Sequence, residues 1–179
     1  MRIKNSSTFI NNGFTLIELV IVIGLLSVLF SFAIFVIDPL AQINKANDAR
    51  RKSDLALIQK ALEEYYQDNG SYPLSGSQPN NNCSSGLFYM YQTTCAEWGK
   101  SWIPYMDKLP IDPDSSRNYH YYSNSGQDYY IYASLERDSS DPQLCNSGGG
   151  ICNSVPSGVS CGNDANICNY GVSSPNVSP

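Results

Sequence analysis

Glu18 is the only ionisable side chain between Phe14 and Ile37, a run of twenty-four residues that is otherwise apolar or uncharged. A carboxylate held inside a bilayer costs about 2.5–3.5 kcal/mol on insertion scales, so such a residue calls for a counter-charge or a route to water. The six cysteines, Cys83, Cys95, Cys145, Cys152, Cys161 and Cys168, all lie beyond residue 80. An even set confined to one side of an apolar segment suits disulfides in an exported domain. Zinc fits less well, because no C-x-x-C pair exists and His120, the single histidine, is far in sequence from most of the thiols. His120 has no G-x-S-x-G nucleophile turn to serve, and its tyrosine-rich surroundings suit a structural role. These groups give no catalytic constellation, and the chain is read as a non-enzyme.

The element that positions Glu18 is the apolar run itself. As a helix rising about 1.5 Å per residue it spans about 36 Å, enough to cross a hydrocarbon core of roughly 30 Å with some tilt. Arg2 and Lys4 precede it, which places the N-terminus in the cytoplasm, although Lys45, Arg50, Arg51 and Lys52 on the far side oppose that orientation. The run is longer than a secretory signal core and no A-x-A-like site follows it. A glycine instead precedes it, in Asn12-Gly13-Phe14.

The segment "GFTLIELVIVIGLLSVL" closely resembles the prepilin processing motif of type IV pilins and type II secretion pseudopilins. The resemblance implies cleavage between Gly13 and Phe14 by a prepilin peptidase, then N-methylation of Phe14. The new α-amine, with a reference pKa near 8, would be largely protonated. In a filament of packed helices it could neutralise Glu18 of a neighbouring copy and fix the axial register. The expected partners are therefore further copies of the chain in a helical polymer, the peptidase, the membrane, and a separate assembly platform and ATPase, since the chain has no Walker-type loop. Many family members carry a proline earlier in the apolar tract, and a glycine is common where this chain has Ser27.

Beyond the run, "AQINKANDARRKSDLALIQKALEEYYQDNG" reads as an amphipathic helix with Ile43, Ala46, Leu55, Ile58, Leu62 and Tyr65 on one stripe. Asp48 and Lys52 stand at an i,i+4 spacing that favours a pair, and Asn69-Gly70 supplies the stop. Pro39 predicts a kink or local melting near residues 35–39. The stripe needs a covering layer. Tyr119–Tyr122 and Tyr129–Leu135 read as two strands joined by a turn at Ser123–Asp128, Gly86–Tyr91 as a short strand, and Ala96–Met106 as a short helix. The order helix end, loop, L-P-x-D-P turn and strands resembles the globular part of the major pseudopilins over roughly residues 10–137. Members of that group often hold calcium near this end, which singles out Asp112, Asp114, Asp138 and Asp141 as oxygen ligands; their spacing matches no EF-hand loop. No other cofactor is implied.

The fold expected is α+β and pilin-like: a long N-terminal helix, membrane-spanning in its first half, on a small antiparallel sheet. Its parts are a leader at 1–13, an assembly helix at 14–38, an amphipathic half at 39–70, a head at 71–137 and a Cys-rich, loop-rich extension at 138–179. The extension has few large apolar residues and is expected to decorate the surface. Bonds Cys83–Cys95, Cys145–Cys152 and Cys161–Cys168 would each close a small loop, but the sequence leaves the pairing open. Charge divides along the chain, at +3 up to residue 60 and −8 beyond it, which disfavours phosphate-backbone binding by the distal part. Location in the cytoplasmic membrane and then in an extracytoplasmic filament follows. The sequence does not separate a pilus from a secretion pseudopilus. A monomeric, singly anchored binding protein is the alternative.

Overall fold

The computed structural model describes residues 13–75, 88–90, 94–137, 141–163 and 167–179. The chain divides between Gln42 and Ile43 into two compact units. Helix α1 covers Leu16–Ile37 and helix α2 covers Pro39–Asn69. Asp38 separates them with φ of 46°, in the left-handed region. Its carboxylate accepts from Ala41 N–H at 3.2 Å, so Asp38 caps α2 and Pro39 occupies the first helical position. Pro39 is tolerated there because that N–H has no intrahelical partner in any case. The predicted disturbance near residues 35–39 is thus a clean stop and restart at one residue.

In the second unit, α2 buries Leu55, Ile58, Ala61, Leu62 and Tyr65. Ile43, expected on the same stripe, is exposed. Strands β3 (His120–Tyr122), β4 (Tyr130–Ala133) and β5 (Tyr170–Ser173) form an antiparallel sheet in the order β3-β4-β5. A second ladder pairs β1 (Phe88–Met90) with β2 (Thr94–Ala96). The expected helix at Ala96–Met106 is absent: β2 ends there, turns follow, and Trp102 and Met106 exchange backbone hydrogen bonds of 2.9 and 2.8 Å. Trp102 is fully buried against Tyr65, with ring centroids 5.7 Å apart.

The alternation of strand residues assigns the two faces of the sheet. Tyr121, Ile131 and Ala133 join the cluster built on α2. Tyr132 packs instead with Cys152, Cys161 and Cys168, and Tyr122, Tyr130, Val155 and Val159 border it. The Cys-rich extension therefore covers the outer face of the sheet and supplies its third strand, which corrects its expected role as surface decoration. Asn169 reinforces this, accepting from Leu135 N–H at 2.7 Å and donating to Leu135 C=O at 3.2 Å, as a paired strand would. Gly171 lies opposite Tyr132. A Cβ at this position would stand 2.9 Å from Pro179 and 3.0 Å from the Tyr132 ring, so only glycine admits this close approach.

Tyrosine serves as the main core aromatic because each buried hydroxyl finds an acceptor. Tyr119 donates to Asp54 at 2.8 Å, Tyr121 to Pro73 C=O at 2.6 Å, and Tyr72 and Tyr129 to Glu63 at 3.1 and 3.3 Å. Cys145 bonds Cys152, and Cys161 bonds Cys168. Cys95 is also disulfide-bonded, and Cys83 lies outside the described residues.

Candidate functional site at the helix start

Gly13, Phe14 and Thr15 precede α1 without helical structure. Thr15, at φ −80° and ψ 150°, turns the chain into the helix. Its hydroxyl accepts from Glu18 N–H at 3.3 Å, and Glu18 Oε2 accepts from Thr15 N–H at 2.8 Å and from the Thr15 hydroxyl at 2.7 Å. This is a reciprocal capping box, which satisfies two of the donors that a helix start leaves open. Glu18 is thus bound within its own first turn. The Thr15-x-x-Glu18 spacing announces such a box, and sequence reasoning centred on a distant counter-charge passed over it.

The Gly13–Phe14 bond lies outside the helix, and both residues are exposed, Phe14 at 85%. No atom outside the neighbouring residues comes within 4 Å of a Cβ placed on Gly13. The peptide is exposed and uncrowded, two residues before the first helical residue. Downstream, the Leu16–Ile34 stretch is long and apolar enough to cross a membrane, and none of it is buried within the chain. Ser27 and Ser31 donate their hydroxyls to the carbonyls of Ile23 and Ser27, at 2.7 and 2.8 Å. Their polarity is thereby satisfied inside the helix, as an apolar solvent requires.

The acidic candidates do not converge on a common point. Asp112 faces Arg51, Asp141 faces Lys52 and Arg137, and Asp114 accepts from Ser116 N–H and hydroxyl, both at 2.9 Å. Asp138 lies outside the described residues. Among the described residues, no group of three or more His, Cys, Asp or Glu side chains is arranged to hold a metal. The expected Asp48–Lys52 pair is replaced: Asp48 bonds Arg51 at 3.0 Å and Lys52 reaches Asp141 at 2.7 Å. His120 is 8% exposed, and burial alone pushes its pKa down to about 4, so it is neutral at pH 7.

Residues 10–34 match the prokaryotic N-terminal methylation motif, and residues 39–142 match the type II secretion system protein G family. Neither a curated protein nor a solved structure gives a significant match. The second match covers more than half of the chain and includes α2, β1, β2 and the β3–β4 hairpin; the disulfide-stapled segment and β5 lie beyond it. The apolar helix and the motif before it fit membrane anchoring. The chain belongs to the type II secretion system protein G family of pilin-like structural subunits.

Proposed function

We propose that the chain is a filament subunit of a type II secretion pseudopilus, cut after Gly13, methylated on Phe14 and polymerised through α1. One observation carries the reading: an exposed Gly13–Phe14 bond outside the helix leads directly into a capped apolar helix with no burial inside the chain. Before the cut, the Phe14 nitrogen is an uncharged amide and Glu18 is satisfied by Thr15. After it, the nitrogen becomes a cation placed four residues before Glu18 and free to pair with the Glu18 of an adjoining copy. A slipped register would leave two lone charges in apolar surroundings, which is the penalty that sets the stagger. In this reading the N-terminus faces the cytoplasm and an assembly platform with its ATPase supplies the motion.

Mass spectrometry of the cellular protein tests the processing steps: a mature chain starting at N-methyl-Phe14 is expected. An intact leader would favour a singly anchored monomer instead. Glu18→Val removes the carboxylate without adding polarity. It is expected to insert and be cleaved as the native chain is, yet to abolish filaments seen by electron microscopy. Normal filaments from this variant would refute the pairing.

A further inference from the structure

The family resemblance implies calcium near Asp112, Asp114, Asp138 and Asp141; Asp138 lies outside the described residues, and the donors around Asp112 and Asp141 do not suit it. Arg51 is fully buried on α2 and binds carboxylates from three segments. Its Nε and one terminal nitrogen clasp Asp112 at 2.8 Å each, and the other terminal nitrogen reaches Asp48 at 3.0 Å and Glu136 at 2.9 Å. Asp48 also accepts from the backbone N–H groups of Glu136 and Arg137, at 2.8 and 3.2 Å. Beside this, Lys52 Nζ sits 2.7 Å from both oxygens of Asp141, Arg137 adds a 2.7 Å contact, and Gln143 N–H donates at 3.0 Å. Both oxygens of Asp48, Asp112 and Asp141 therefore carry N–H donors. A calcium ion requires six to eight oxygen ligands at roughly 2.3–2.6 Å, and here it would first have to displace side chains of its own charge sign.

We propose that this head is closed by cations of its own chain, Arg51 foremost with Lys52 and Arg137, where the resemblance implies calcium, and that its folding is independent of divalent metal. The geometry accomplishes what a bound ion would. Arg51 joins α2 to the loop before β3 and to the end of β4, and Lys52 joins α2 to the segment that opens the disulfide-stapled extension. A planar guanidinium suits the task because it makes the two parallel bonds to Asp112 and still has one nitrogen whose two N–H groups reach two further carboxylates. Burial alone would lower its pKa, but Asp112 and Glu136 outweigh that and raise it, so Arg51 stays charged. Asp141 is opposed by burial, and Lys52, the Gln143 N–H and Arg137 together hold it below the ordinary carboxylate range.

Thermal unfolding of the full-length chain in detergent, with EDTA and then with excess calcium chloride, tests this. Neither addition is expected to move the midpoint by more than about 1 °C. A resident divalent ion at about a hundredfold excess over its Kd would shift it by roughly 5–10 °C. A midpoint lowered by EDTA and restored by calcium overturns the proposal. Arg51→Met strands buried carboxylates and is expected to lower the midpoint by roughly 6–20 °C. Should that variant not fold, Lys52→Met, at a partly exposed position, is the measure. It is expected to lose a few degrees and to remain insensitive to EDTA. A Lys52→Met chain that melts with the native one, or that loses stability only when EDTA is present, also overturns the proposal. Both readouts are independent of filament formation, so failure here would leave the assembly reading untouched.

Discussion

Replacing Cys161 and Cys168 together by alanine tests whether the extension stabilises the sheet it covers. The bond joins residues seven apart, and both cysteines are fully buried against Tyr132. Closing so short a loop removes chain entropy from the unfolded state worth about 2–3 kcal/mol in the loop-closure treatment. Removing two buried sulfur atoms from the layer over Tyr132 adds roughly 1 kcal/mol in lost packing. Together these give about 3–4 kcal/mol. At roughly 2–4 °C per kcal/mol for a domain of this size, the midpoint should fall by about 6–16 °C. Differential scanning fluorimetry reads the midpoint, and near-ultraviolet circular dichroism reports the packing of Tyr130 and Tyr132, whose rings stack 6.1 Å apart. A variant that melted within about 1 °C of the native chain, with its tyrosine signal intact, would show that the extension is a surface ornament and that the two-sided sheet is wrong.

Two further outcomes bear on the same layer. His120 has a folded pKa of about 4 against an ordinary 6.5, so its contribution is complete above pH 6.5 and is lost as pH falls toward 4; the loss is about 3 kcal/mol, and His120→Gln should flatten that part of an acid-unfolding curve. Gly171→Ala should cost roughly 1–3 kcal/mol in urea melts, since its Cβ meets Pro179 and Tyr132, and equal midpoints would contradict the close approach seen there.

Much of the architecture could be read from pattern. The three- and four-residue spacing of Leu55, Ile58, Leu62 and Tyr65 located the buried face of α2, and the tyrosine-rich pair around Ser123–Asp128 located the β3–β4 hairpin. Ile43 failed because periodicity shows which face a residue shares but not where its cover begins. The Asp48–Lys52 pair failed for a related reason. Helical spacing scores only local partners, while each residue found a better one across the fold: Arg51 with two backbone N–H groups for Asp48, and Asp141 for Lys52. β5 was hidden because Tyr-Gly-Val-Ser is short and carries a glycine, features that argue against a strand unless a neighbour needs the space. The extension has few large apolar residues, too few by pattern alone to imply a core. Its disulfides and the Tyr132 ring supply between them what aliphatic side chains usually would.

The two units meet their polar and apolar requirements in opposite ways, and this bears on assembly. In the second unit, among the described residues, the buried tyrosine hydroxyls, the Arg51 carboxylates and the ends of β4 are answered from within the chain. In the first unit, among the described residues, Ser27, Ser31, Glu18 and Asp38 find hydrogen-bond partners within the chain, while the apolar side chains from Phe14 through Ile34 are left exposed. An unmet apolar requirement on this scale has to be answered by lipid or by other helices. The proposed processing then sets an order of events. Thr15 satisfies the Glu18 carboxylate with hydrogen bonds from neutral groups but gives it no counter-charge. In the proposed assembly, cleavage would add a cation at Phe14, and a neighbour's Glu18 would be its partner. On this reading a Thr15→Val chain, which loses the hydroxyl but keeps the backbone N–H bond to Glu18, should still need cleavage before it assembles, because only the processed Phe14 amine supplies the counter-charge; filaments of uncut chains seen by electron microscopy would refute the pairing.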